Sequence, residues 1–485
     1  MDRLDRGTSY ILPLGLIIRL ALAPLTVQSY DFVRLYYSAF NIIKGTNPYS
    51  VYEFPYPPVP LYLLSLIATV YFGAGLYQEN LAWPSGLDVP PSLLKAEFIS
   101  VTLMSFHVPP PIFNLLFKIP MILSDTAIAV LLYKLCLLKT GKIGISKNAM
   151  GLWYLNPIVI WMSSIHGAFD CLGVLLAVLG LYYLVRSNYA TSGFFLATGI
   201  VTKLFPAFLI PISLTASVKA KRVSHFVAGV LLSFLVCLTP ILFFDFGSLL
   251  YSLVANRPSA LFVGGLNPFA VKYAFRSVET FVFENSTALF LILIFALGLS
   301  SLLLCFYWWG QSSDSSLSTM NRMMLASVIL AYFFVPLAVQ PQYSLWALPF
   351  MIMDIASVSR TGHILHSIRV RLKVQSRTLL AKSHILSYPV FFHVFWVSAL
   401  LFEVSLQGPS VFLPIAMRSE GLMNLLANAT IWWVKDQAVL RTLIFFASGM
   451  ACTFAYTMFL LKSVVTKRAK MKPKVEGSHG DTCLR

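Results

Sequence analysis

The chain has 485 residues, 58% of them hydrophobic and only 11% charged, with a formal net charge of +17. Soluble domains carry about 25% charged residues, so the composition excludes an ordinary water-soluble domain and makes lipid the main solvent. Lys and Arg stand in short blocks between apolar runs rather than on one soluble basic face, which argues against nucleic acid as a partner.

In chain order, apolar runs bounded by polar or turn residues predict membrane helices at 9–27, 112–135, 151–165, 169–186, 191–217, 223–244, 288–309, 321–338, 343–358, 386–405 and 438–462. The first run is longer than a signal-peptide core and lacks a small-residue cleavage site, so it reads as the first membrane helix. Segment 59–75 is apolar enough to cross. Segment 191–217 could cross once or fold back as two short helices around Lys203 and Pro206.

Charge decides both cases, because Lys and Arg concentrate on the cytosolic side. The basic clusters are Lys134, Lys139, Lys142 and Lys147; Lys219, Lys221 and Arg222; Arg360, Arg369, Arg371, Lys373, Arg377 and Lys382; and the tail from Lys462 to Lys474. All fall inside if 59–75 stays on the outer face and 191–217 goes in and comes back. Two short halves at 191–217, with Pro206 and Pro211, imply broken helices. Such breaks are tolerated where protein or a water-filled cavity satisfies the backbone.

The expected fold is an all-α polytopic membrane protein of about 10–12 transmembrane helices. A long first outer loop, 28–111, bears interfacial helices. The expected organisation is a catalytic membrane region 1–358 that includes this loop, a basic cytoplasmic loop 359–385, C-terminal membrane helices 386–464 and a basic, disordered tail 465–485. Sequons at Asn285 and Asn428 fall on the outer side of this map.

Metal and disulfide chemistry find little support. Cys136, Cys171, Cys237, Cys305, Cys452 and Cys483 show no CxxC spacing. His363, His366 and His384 lie in the basic loop, which reads as a segment against anionic lipid headgroups.

Ionisable groups at membrane depth are costly and are candidates for function. Asp31 follows the first helix in SYDF, where it either ends the helix or does chemistry. The segment GTNPYSVYEFPYPPVP at 45–60 is a stiff outer cover rich in Pro and Tyr. Asp125 lies in KIPMILSDTAIAVLLYKL. His166 and Asp170, in NPIVIWMSSIHGAFDCLG, share one face if the intervening turn is helical, either as a buried pair or as two ligands. Lys203, in VTKLFP, either snorkels or binds an anion as a point charge. Arg257 and Asn267 lie in ANRPSALFVGGLNPFAVKYAF; Gln342 and Tyr343 lie in QPQY, followed by Trp346.

In this order, the Asp after the first helix, the PY…YPP segment, ILSD, NPIVIWMSSIHGAFD, KLFP and QPQY resemble the GT-C superfamily of membrane glycosyltransferases, over about residues 9–350. The nearest patterns are those of the dolichyl- or polyprenyl-phosphate-dependent mannosyl- and glucosyltransferases that extend lipid-linked glycans. HGAFD is similar to their glycine-His-Phe motif without being identical. The resemblance implies a hexosyltransferase in the endoplasmic reticulum membrane or a prokaryotic cell membrane, with its site on the non-cytosolic face. It implies Asp31 as the catalytic base on the acceptor hydroxyl, inversion by single displacement, and no metal or other cofactor. Lys203, Arg257 and His166 would hold the donor phosphate. Asp125, Asp170, Asn267, Gln342 and Tyr343 would orient sugar or acceptor. The implied partners are a lipid-phosphate-linked sugar donor, a glycan or glycolipid acceptor and membrane lipids.

The main rival is a transporter or lipid-glycan flippase, which would place its charges near the midplane and show internal repeats. A non-catalytic subunit of a lipid-glycan complex is a further alternative.

Overall fold

The computed structural model describes residues 10–28, 56–75, 111–244, 246–250, 317–334, 341–358 and 379–407, with scattered positions between 35 and 54 and between 303 and 458. The described residues are helical, with no strand among them. The helices are α1 Ile11–Leu22, α2 Pro58–Gly73, α3 Pro111–Thr140, α4 Ile143–Tyr154 and α5 Pro157–Ile160, which runs into a π-helical turn Trp161–His166. They continue with α6 Asp170–Val185, α7 Tyr189–Ile200, α8 Ile210–Lys219, α9 Val223–Phe244, α10 Phe246–Leu250, α11 Leu317–Phe334, α12 Ser344–Val358 and α13 Leu379–Gln407. Asp31, Arg257 and Asn267, residues 359–378 and residues 459–485 lie outside the described residues.

Two helices, Pro111–Thr140 and Val223–Ile241, are each long and apolar enough to cross a bilayer. Leu231 and Leu235 on α9 are 61% and 65% exposed. Large apolar side chains bare along a whole helix suit hydrocarbon and not water. The interior is continuous around α3, α6 and α12, with Phe113, Phe117, Leu132, Trp153, Val174 and Met351 fully buried.

Local chemistry explains the breaks. The expected span 151–165 is two helices, because Asn156 Oδ1 accepts from Ile158 N at 3.1 Å and Pro157 takes the first helical position, so the chain starts afresh there. The expected break within 191–217 is present: α7 stops at Ile200, residues 201–204 turn, and a 3-10 turn Phe205–Leu209 leads into α8. α7 and α9 pack backbone against backbone. A side chain at Gly193 would collide with the Phe226 carbonyl, and one at Gly229 with the Ala190 carbonyl.

Candidate functional site

Lys203 sits in the break between α7 and the 3-10 turn. Its N–H donates to Gly199 O at 2.8 Å, which closes the end of α7. Gly173 lets this turn lie directly on α6, since a Cβ there would come within 3.1 Å of Lys203 Cβ and 3.2 Å of Phe205. The ammonium then reaches Asp170, the first residue of α6, at 3.0 Å. A carboxylate in the first turn of a helix is favoured by the partial positive charge there.

Aromatic rings complete the arrangement. Trp346 Nε1 donates to Asp170 Oδ1 at 2.7 Å. The Trp346 ring stacks on Phe205 at 4.6 Å and on Tyr343 at 4.3 Å. Lys203 Nζ lies 5.1 Å from the ring centres of both Tyr56 and Tyr343, within cation–π range. Tyr56 belongs to the expected outer cover. It packs edge-on against Phe169 and Phe54, and its carbonyl accepts from Tyr49 Oη at 3.0 Å. Burial, with Tyr62 beside it, pushes the Tyr49 phenol well above its usual pKa, so it stays a neutral donor. Val59 N donates to Val201 O at 3.1 Å, which ties the start of α2 to the Lys203 turn. Gln342 is buried in the short 3-10 turn Pro341–Tyr343 that starts α12.

His166 and Asp170 do not share a helix face. The π-helical turn ends at His166, Gly167 adopts φ 75°, and α6 starts only at Asp170. The left-handed residue turns the chain, so the two side chains part company. Asp170 goes to Lys203, while His166 Nδ1 meets Glu403 Oε1 of α13 at 3.2 Å, with both side chains buried. The condition for a shared face, a helical turn between the two residues, is therefore not met.

Asp125 is placed in a sealed pair. Arg19, fully buried on α1, donates Nε and Nη2 to Asp125 Oδ2, each at 3.3 Å. Its Nη1 donates to Tyr154 O at 2.8 Å and Gly15 O at 3.1 Å, and its guanidinium lies 4.1 Å over the Tyr154 ring. Lys118, also fully buried, donates to Ala23 O at 3.0 Å and Thr26 O at 2.6 Å. It thus satisfies carbonyls just past the end of α1, on the segment that leads to Asp31.

Arg19, Lys118 and Glu403 are not among the site residues expected from the sequence. Each is a charge inside an apolar run, the signal that picked out Asp125 and Lys203. Among the described residues, no group of three His, Cys, Asp or Glu side chains gathers as metal ligands.

No family model and no curated protein matches the chain. A solved structure, the crystal structure of ArnT from Cupriavidus metallidurans bound to undecaprenyl phosphate, is similar at 11% identity, covering 96% of this chain and 79% of that one, with a TM-score of 0.46. A likeness at that level assigns neither a family nor a chemistry to this chain.

Proposed function

We propose that the chain is a GT-C-type glycosyltransferase. It moves a hexose, mannose or glucose, from a polyprenyl- or dolichyl-phosphate carrier to a lipid-linked glycan or similar acceptor on the non-cytosolic face of its membrane. The observation that carries this reading is the partly exposed Lys203, 13% accessible. It is held against Asp170 and between Tyr56 and Tyr343 where a helix is broken. An ammonium fixed at a break is suited to a phosphate, and flat rings beside it suit the faces of a sugar.

In this reading the acceptor oxygen attacks the anomeric carbon as the bond from that carbon to the phosphate oxygen breaks. The bonding pair leaves with the phosphate, the configuration inverts, and Asp31 takes the acceptor's proton. Lys203, with Arg257 and His166, balances the charge that grows on the leaving phosphate. Asp170 positions Lys203, Glu403 orients His166, and Gln342, Tyr343 and Asn267 line the sugar or acceptor side. Asp125 is assigned to the scaffold, since its pairing with Arg19 leaves it no exposed surface.

The same contrast weighs against a transporter. Asp125 lies midway along α3, where a transport site would need access, yet it and Arg19 are sealed. The partly exposed charge lies instead at a helix break beside Tyr56 of the Pro- and Tyr-rich segment.

The test is incubation of purified protein with polyprenyl-phosphate-mannose and -glucose, each with lipid-linked acceptors, read by mass spectrometry. The expected result is one hexose added from one donor, lost in Asp31→Asn with the protein still folded. No product from either donor with any acceptor, or full turnover by Asp31→Asn, overturns the reading.

A further inference from the structure

The opposite end of α6 carries a second feature that sugar transfer does not use. α6 has 16 residues and is about 24 Å long, so its last turn lies a membrane leaflet or more away from Asp170. There the tight turn after α6 and the turn between α8 and α9 come together, each with a left-handed non-glycine residue, Ser187 at φ 58° and Lys221 at φ 56°. Between them lies a cavity of about 530 Å³ lined by Ser187, Asn188, Tyr189, Ala220, Arg222 and His225.

The charge at this end is one-sided. Arg186, Lys219, Lys221 and Arg222 flank or line the cavity, and no Asp or Glu occurs anywhere from 171 to 244. Arg186, Lys221, Arg222 and His225 are exposed. The contrast with Lys203, which faces a carboxylate at 3.0 Å, is complete.

The second observation is the surface that runs away from the cavity. On α9, directly beyond Arg222 and His225, Val227, Leu231 and Leu235 form an i, i+4, i+8 stripe, with Leu232 and Val236 beside it, all between 39% and 65% exposed. From Val227 to Val236 the stripe runs about 14 Å along the helix, close to the roughly 15 Å depth of one leaflet's hydrocarbon. A basic cavity at the end of an apolar stripe of leaflet length has the two-part chemistry of a phospholipid and not of a soluble anion.

We propose that this cavity is a specific site for the headgroup of an anionic phospholipid, with the phosphate against Arg222 and His225 and an acyl chain along Val227, Leu231 and Leu235. The site is independent of the transfer reaction, because it lies at the far end of α6 and shares no residue with the Lys203 site.

The test is native mass spectrometry of the full chain with phosphatidylglycerol and phosphatidylcholine, with inorganic phosphate and glycerol 3-phosphate as soluble competitors. The expected result is retention of phosphatidylglycerol over phosphatidylcholine. Arg222→Gln should weaken it about fivefold, the effect of one basic residue near a membrane surface. Leu231→Ser, which leaves the charge intact, should weaken lipid retention without changing binding of the soluble anions. Equal retention of the two lipids, or unchanged retention by Arg222→Gln, overturns the proposal. So does displacement of the lipid by inorganic phosphate alone, which would make the cavity a soluble-anion site. The wild-type comparison decides even if a variant fails to fold.

Discussion

The Arg19–Asp125 and Lys203–Asp170 pairs, both with a buried carboxylate, are built differently. Arg19–Asp125 is closed: both side chains are fully buried, and the guanidinium is used up by the carboxylate, two backbone carbonyls and a tyrosine face. Lys203–Asp170 is open on the lysine side, sits where a helix is interrupted, and is walled by rings rather than carbonyls. The lesson is that burial of a charge does not by itself mark a site. Arg fixes geometry through its planar fork, whereas Lys is a mobile point charge that can exchange one anion for another.

The largest expected effect breaks the closed pair. Arg19→Met leaves a carboxylate buried without its cation, which should cost about 3–5 kcal/mol. Yield and thermal unfolding in detergent measure the loss. Adding Asp125→Leu should recover much of it, since a buried pair can often be replaced by apolar groups.

The next effect lies at the open pair. Lys203→Met should reduce hexose transfer about 100-fold if its bond to phosphate is worth about 3 kcal/mol. It also leaves the buried Asp170 without its cation, so the melting temperature should fall, but by less than in Arg19→Met, because Trp346 and the helix N-terminus still stabilise that carboxylate. Steady-state transfer and a melting curve on the same preparation separate the two outcomes. If this variant unfolds as Arg19→Met does, the distinction between the pairs disappears.

A finer cut removes one bond and keeps the stack. Trp346→Phe retains a ring between Phe205 and Tyr343 but deletes the donor to Asp170. A hydrogen bond to a charged group is worth about 1.5–3 kcal/mol, so transfer should fall by about tenfold or more, chiefly through KM for the donor. The smallest effect is expected from Glu403→Gln, which keeps a hydrogen-bond acceptor for His166. It should lower turnover by about fivefold or less, consistent with loss of about 1 kcal/mol of charge assistance; Glu403→Ala should cost more. Equal losses in the two variants would make Glu403 a packing residue only.

Much of this arrangement could be read from the sequence where the controlling interactions are local. The break at Lys203 follows from Pro206, which cannot continue the helix, after an apolar run that holds Gly193 and Gly199. The aromatic cover follows from the prolines and tyrosines around Tyr56. The break at Asn156 was equally legible, because Asn followed by Pro is a helix start, but the apolar run 151–165 hid it. Hydropathy does not register a restart inside an apolar stretch. Whether His166 and Asp170 share a face could not be decided from spacing, because a π-helical turn and a left-handed Gly167 change the angle per residue.

What sequence spacing could not supply is partner choice across the fold. Arg19 meets Asp125 from 106 residues away, and His166 meets Glu403 from 237 residues away. Periodicity marks such a charge as unusual but does not say which opposite charge it will meet. Asp31, Arg257 and Asn267 lie outside the described residues, so their roles rest on the sequence alone.

The most direct test of the account is titration of the purified protein with a polyprenyl phosphate, comparing wild type with Lys203→Ala. The account predicts affinity at least about tenfold weaker for the variant, the loss of one charge-assisted bond, in a protein that a melting curve shows is still folded at the assay temperature. Equal affinity in the two proteins would contradict it, because the phosphate would then be held elsewhere and the open pair would be only a second scaffold contact.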